Sequence, residues 1–295
     1  MYPESTEVSD PLSNAAEAGT APATARVKIS VGDRFRSLNY RVRYELSRTV
    51  RWSRGITRET PAENLPELSP MQRRRVISLI ARYHVRFEHR YQKETAVRNY
   101  AYLDVLDRAR EELNWVVPQE RTVYDLGSAT FSYAASLHAF FKPQRLVGIE
   151  IDGHRLYQHW RSRIDLARGY VRDLPHTEYV VADYRTLRFT ADVIVAWYPF
   201  VTPKPLLAWR LPLTLFEPLK LFEQVARSLT ANGIFVMVNY SPDEMPVTRQ
   251  GAMQAGLHCL GCHVHRQPLK ARSQPAVLTI WKKISGEALP PRSSA

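Results

Sequence analysis

Cysteine is scarce in this chain, with only Cys259 and Cys262 among 295 residues. Two thiols cannot build a disulfide framework, so a packed core must hold the fold together. Long apolar runs are missing too, and no uninterrupted stretch is long enough to cross a bilayer. The opening MYPESTEVSD carries acids and no hydrophobic segment, which does not read as a secretory leader. A cytoplasmic location is the resulting expectation. What the chain does have is length and positive charge. Its 295 residues suffice for one large α/β domain plus an appendage, and a hydrophobic content of 44% is ordinary for a globular protein. The net charge is +12, and it is unevenly placed. Arg34, Arg36, Arg41, Arg43, Arg48, Arg51, Arg54 and Arg73 to Arg75 crowd residues 26–98. Such a field favours phosphate-bearing partners, whether nucleic acid, an anionic membrane surface or a phosphorylated substrate, without choosing among them.

Residues 1–25 are rich in Ser, Ala, Pro and Thr and read as a disordered tail. Residues 26–95 form a basic, arginine-rich extension, 96–284 the main domain, and 285–295 a flexible tail. Within the extension, 26–68 mixes arginines with Phe35, Tyr40, Tyr44 and Trp52 and shows no assignable regular structure. Arginine beside aromatics can stack on bases, but packing as a lid over the main domain is the preferred reading. A helix then starts clearly. Ser69 is a good N-cap, Pro70 suits the first helical position and Gln72 completes a capping box. Val76, Ile80, Tyr83, Phe87 and Tyr91 share one face of that helix, and Arg75, Arg82, Arg86, His89 and Lys93 share another. Such a helix can lie on phosphates or on a membrane surface, but more often it docks its apolar stripe on the domain and leaves its charges solvated. A second helix, about Ala96 to Asn114, turns Tyr102, Leu106, Ala109 and Leu113 toward the core.

The stretch from Thr122 to Asp152 organises the remainder. Val123-Tyr124 is a short apolar run closed by Asp125, and a sharp turn follows at Gly127. A helix-period run covers Ala129 to Phe141, and a second apolar run, Leu146 to Ile149, ends on Glu150. Strand, glycine turn, helix, strand and acid in that order make the first βαβ unit of a nucleotide-binding sheet. Gly127 permits the tight turn. The following helix start would aim unpaired N–H groups at a ligand, and Glu150 could accept hydrogen bonds from ribose hydroxyls. Further along, a helix is expected over His154–Gly169, with strands at Glu178–Asp183 and Ala191–Trp197. Next come a helix over Leu215–Leu229, a strand at Ile234–Asn239 and a helix over Val247–Gly256. Two closing strands, His258–His265 and Ala276–Lys282, complete the pattern. The fold class is α/β: a doubly wound, Rossmann-like sheet of about seven strands with a closing antiparallel hairpin, plus an N-terminal helical extension.

Over about residues 96–284 this order resembles a class I S-adenosylmethionine-dependent methyltransferase. Asp125-Leu126-Gly127-Ser128-Ala129 is similar to that family's first motif, near the methionine half of the cofactor. Glu150 matches its ribose-binding acid, and Asp183, with Tyr184 beside it, matches the residue that reads the adenine amino group. Trp197-Tyr198-Pro199-Phe200 falls where the family has its substrate-facing motif. The resemblance implies bound S-adenosylmethionine and in-line methyl transfer to an acceptor held in an apolar pocket. Two departures stand out. Ala129 and Phe131 occupy positions where the family often has glycine, and a phenylalanine at the helix start would narrow the approach to the cofactor. Trp197 and Tyr198 replace the polar residue and proline typical of enzymes that methylate amino groups on bases. Candidate proton acceptors at the sheet edge are Tyr198, Tyr240 and Asp243, although tyrosines there serve more often as pocket walls. Phe131 and the arginines motivate an alternative, a catalytically inactive methyltransferase-like protein acting as a nucleic-acid binder or scaffold. Cys259-Leu260-Gly261-Cys262-His263 spells the C-x-x-C-H haem attachment pattern. On a predicted strand these cysteines read as small core hydrophobes, and no metal site is assigned.

Overall fold

The computed structural model describes residues 29–283, apart from 66, 158–159 and 267–268. The tails expected at 1–25 and 285–295 lie outside the described residues. Three helices come first: α1 (Val31–Val50), α2 (Pro70–Tyr83) and α3 (Lys93–Glu112). The sheet follows as β1 (Thr122–Leu126), α4 (Ala134–Phe141), β2 (Arg145–Glu150), α5 (Arg163–Val171), β3 (Thr177–Val181) and β4 (Ala191–Trp197). The last part comprises α6 (Pro203–Ala208), α7 (Pro218–Ser228), β5 (Leu229–Asn239), α8 (Met245–Gln254), β6 (Leu257–His265) and β7 (Ala276–Lys283).

The strand order is β3-β2-β1-β4-β5-β7-β6. β1 to β5 run parallel, and β7 inserts antiparallel between β5 and β6. Alternate residues along each central strand enter opposite layers. Val123, Val193 and Val236 meet α2, α3 and α4 on one face, while Tyr124, Ile194 and Phe235 meet α7 and α8 on the other. Covering both faces is what makes ADVIVAW apolar at every position but Asp192, as the sequence pattern indicated. Between β1 and β4 the chain order reverses direction, and in open α/β sheets ligands bind in the crevice outside the strand ends at that point.

Several boundaries differ from expectation for identifiable reasons. The stretch without an assignable structure contains α1, a helix of 20 residues capped by the Ser30 hydroxyl, which accepts the Asp33 N–H. α2 has the capping box, with Ser69 and Gln72 bonding each other's backbone N–H. It stops at Tyr83 because His84 turns left-handed, so Phe87 and Tyr91 reach the core from a separate 3-10 turn at Phe87–His89. α4 starts at Ala134 and not at 129, since Ala129 (φ 49°) and Phe131 (φ 54°) are left-handed and cannot sit in a right-handed helix. Among the described residues of 151–162 there is no α-helix, and α5 begins only after a capping box between Ser162 and Asp165. Residues 53–57 run across α5 as a strap, with the Arg54 and Gly55 N–H groups donating to the Asp165 carboxylate at 3.0 and 3.2 Å.

Candidate functional site

A cavity opens at the carboxyl ends of β1, β2 and β4, beside the reversal of strand order. It encloses about 1050 Å³, part of it open to solvent, and its walls are mostly apolar. Gly127 and Ala129 reach it from the turn after β1, Glu150 from the end of β2, and Trp197 to Phe200 from the end of β4. Tyr102 enters from α3, and Leu206 and Leu211 from the segment around α6.

The glycine turn is built as its residue types require. Gly127 has φ +74°, a conformation that L side chains rarely adopt, and nothing stands within 4 Å of where a Cβ would point. The turn is tied down by the Gly127 and Ser128 N–H groups, which donate to the Ile149 carbonyl at 2.9 and 3.1 Å. Tyr179 adds a third tie, its hydroxyl donating to the Ala129 carbonyl at 2.6 Å. The N–H groups that face an acid here therefore come from the loop and not from the helix start, which lies farther along. Phe131 does not narrow the cavity. Its ring is fully buried, it is not part of the cavity wall, and it packs over Gly148, where a Cβ would come within 2.7 Å of it. A bulky residue in the first motif is accommodated by a missing side chain on β2.

Both carboxylate oxygens of Glu150 are engaged. One carboxylate oxygen accepts the Ala129 N–H at 2.8 Å. The other accepts the Asp152 N–H at 2.9 Å and pairs with the Arg163 guanidinium at 3.0 Å. A carboxylate offers about four acceptor sites, so room for a further donor remains on the first oxygen. Arg163 is itself buried and lines the cavity, and its Nη2 has no hydrogen-bond partner among the described residues. Burial opposes its charge, and Glu150, Tyr157 and Asp152 outweigh that and raise its pKa. An unfilled acceptor site on Glu150 and a spare donor on Arg163 fit a ligand carrying hydroxyl groups, as the ribose end of S-adenosylmethionine does.

The other two strand-end acids are engaged elsewhere. Asp125 is fully buried, is not part of the cavity wall, and accepts the Tyr133 hydroxyl at 2.7 Å. Burial drives its pKa well above the ordinary carboxylate value; the Tyr133 hydrogen bond opposes the shift and the Glu150 charge adds to it. Ser128 is likewise buried behind the turn. Asp183 lies two positions past β3 and opens onto a neighbouring depression beneath α1. Arg185 clamps Asp183 at 2.7 Å and Glu217 at 2.5 Å and lines both the depression and the cavity. Tyr184 does face the cavity.

The wall opposite Glu150 is aromatic. Tyr102 stacks on Tyr133 at 4.3 Å between ring centres and tilts against Trp197 at 4.3 Å. Tyr198 borders the cavity, while Tyr240 and Asp243 do not. Arg272 lies over the Tyr198 and Tyr240 rings, 4.7 Å from each, and donates to the Tyr198 hydroxyl at 2.6 Å. Burial raises the Tyr198 pKa and Arg272 opposes the shift, leaving the phenol protonated near neutral pH. Sequence reasoning missed Tyr102, Arg163 and Arg185, whose places in the wall come from helix packing and from loops without a motif. On β6, a bulge between Cys259 and Gly261 lets Cys259 pair with Trp281 and Cys262 with Thr279, which puts both cysteines on one face. His263 is engaged by Glu112 at 2.7 Å. Among the described residues no three His, Cys, Asp or Glu side chains are arranged to hold a metal ion.

No protein-family model matches the chain, and no curated protein matches its sequence. Solved structures align with part of it. A complex of the Haloferax volcanii Trm112 methyltransferase activator with a protein described as a methyltransferase aligns with TM-score 0.47 and 15% identity, over 65% of this chain and 95% of that one. A SAM-dependent methyltransferase from Aquifex aeolicus gives 0.44 and 15%, over 60% and 88%. An S-adenosylmethionine-dependent methyltransferase from Clostridium acetobutylicum gives 0.43 and 10%, over 72% and 98%. These are distant likenesses. The seven-stranded, doubly wound sheet with its closing antiparallel pair is the Rossmann-like α/β fold class expected from the sequence.

Proposed function

We propose that this protein is an S-adenosylmethionine-dependent methyltransferase that works in the cavity beside the strand-order reversal. The observation that carries the reading is the pairing of two walls around one space: the Gly127 turn with Glu150 on one side, and the aromatic Trp197–Phe200 segment on the other. When bound, the cofactor supplies a methyl group already activated on a sulfonium. The chain's own task is placement. Glu150 would accept a ribose hydroxyl, the open space before Gly127 would admit the cofactor without a Cβ in the way, and Tyr184 would border the adenosyl end. The apolar wall would exclude water from the acceptor, and positioning alone can remove much of the barrier. Tyr198, kept protonated, would orient an acceptor atom as a hydrogen-bond donor and would not take its proton.

The direct test is calorimetric titration with S-adenosylmethionine and with its demethylated product. Binding is expected, and Glu150→Gln should weaken it by about 1.5–3 kcal/mol, the usual worth of a hydrogen bond to a charged group. Glutamine is preferred to alanine because it keeps the side-chain volume and one carbonyl oxygen that can still accept from Arg163. Unchanged affinity would remove the ribose assignment, and absence of binding would remove the enzyme reading. The two arginine pairs already closed on Glu150 and Asp183 favour a competing view, a non-catalytic methyltransferase-like scaffold or nucleic-acid binder, and the same titration decides between them. If the cofactor binds, transfer of labelled methyl groups in cell extract identifies the acceptor.

A further inference from the structure

α1 is mounted with its most apolar side facing away from the protein. Its inner face is polar: the Ser37 hydroxyl accepts the Leu213 N–H at 2.8 Å, and Tyr44 packs on Leu206 and Leu211. Val31, Phe35, Leu38, Val42, Leu46 and Val50 recur every three or four residues on the opposite side, each between 58% and 72% exposed. At 100° per residue, Arg34, Arg41 and Arg48 run along one edge of this stripe, and Arg36 and Arg43 run along the other. Asp33 and Glu45 are the only acids on the helix. Past its end the apolar surface continues, since Leu46 and Val50 share a depression with Trp52 and Leu156. Trp52 donates its indole N–H to the Trp160 carbonyl at 2.9 Å, and Trp160 is 66% exposed.

We propose that α1 is an in-plane membrane helix that seats this protein on an anionic lipid surface. Its apolar stripe would enter the boundary between headgroups and acyl chains, and the two arginine rows would lie at the level of lipid phosphates. Trp52 and Trp160 would extend the contact as interfacial aromatics, a role that suits an amphipathic ring. Charge selects this occupant over the others. A second copy laid on the same face would set arginine rows against arginine rows. A nucleic acid would use the arginines and leave the apolar stripe facing water. An anionic bilayer satisfies both features together, and its binding requires neither cofactor nor acceptor, so this inference stands apart from the methyl-transfer reading.

Flotation of the full chain with vesicles tests it. Association is expected with phosphatidylcholine–phosphatidylserine vesicles at low salt and not with phosphatidylcholine alone. Leu38→Ser combined with Val42→Ser should abolish it while leaving the thermal melt unchanged, because both side chains already face water. Neutralising Arg34, Arg41 and Arg48 to glutamine should weaken association on the order of a hundredfold. No association with the anionic vesicles overturns the proposal, as does association that the stripe substitutions leave intact. So does a dimer by light scattering that the same double substitution dissolves, or RNA binding that depends on the arginines alone.

Discussion

α1 and α2 have similar credentials as arginine-rich amphipathic helices near the N-terminus, yet they are mounted in opposite senses. α2 turns its apolar face inward, with Val76 and Leu79 buried. It also carries part of its charge inward. Arg75 pairs with Asp104 at 2.5 Å and with Asp107 at 2.9 Å, and Arg82 pairs with Asp107 at 2.6 Å. Tyr83 and Arg110 complete the ring around Asp107. α1 instead buries serine and tyrosine and exposes its leucines and valines. The neighbour makes the difference. α3 presents Asp104, Asp107 and Glu111 along the side that receives α2, so arginines can be buried with partners. α1 lies on a connecting segment that offers backbone N–H groups and a few leucines, and a serine–tyrosine face suits that surface. Amphipathic composition sets how many faces a helix has, while the partner decides which one is buried.

This contrast can be broken most sharply at Leu79. Leu79→Ala should cost about 2–5 kcal/mol in urea denaturation, the range for emptying a fully buried leucine site. Asp107→Ala should cost about 3 kcal/mol, the lower end for breaking a buried pair, because Arg82 can still reach water while Arg75 cannot do so as easily. Acid sharpens the same point. Burial opposes the ionisation of Asp104 and Asp107, but the neighbouring His265 ring and the Arg75 hydrogen bond at the first, and hydrogen bonds from Arg82 and Tyr83 to the second, overcome it and lower both pKa values. Their contribution is therefore whole above the unfolded carboxylate value and is lost as pH falls through the lower folded values. Melting temperature should decline steeply below about pH 4, and Asp107→Asn should flatten that decline. The smallest effect belongs to α1, where Leu38→Ala should stay within about 0.5 kcal/mol of the parent. A loss at Leu38 comparable to that at Leu79 would mean that the outer stripe of α1 is covered after all.

Much of the fold was readable because strong local signals agreed with it. Ser69, Pro70 and Gln72 announced the start of α2, and the apolar run Ala191–Trp197 matched a buried strand residue for residue. The missed elements had weaker or contradictory signals. α1 does carry a helix-period apolar stripe from Val31 to Val50, and what no local pattern shows is that this stripe faces outward. The helix expected at His154 gave way to an irregular segment, although Ser162 and Asp165 carried a readable cap for the true start of α5. At the site, Gly127, Ala129, Glu150, Tyr184 and Trp197 to Phe200 all line the one cavity. Asp125 and Asp183 had the right positions along the chain, but Tyr133 and Arg185 hold their carboxylates elsewhere.

By itself the sequence determined the alternation of strands and helices, the reversed last strand, and the carboxylate at the tip of the second strand. Each depends on residues close together in the chain: apolar periodicity, caps, and an acid after an apolar run. The tertiary structure alone decided which charges are neutralised and which face of a basic helix meets water. Those outcomes depend on partners distant in sequence, such as Glu150 with Arg163 or Arg75 with Asp107. No local pattern encodes a pairing that exists only once the layers have packed.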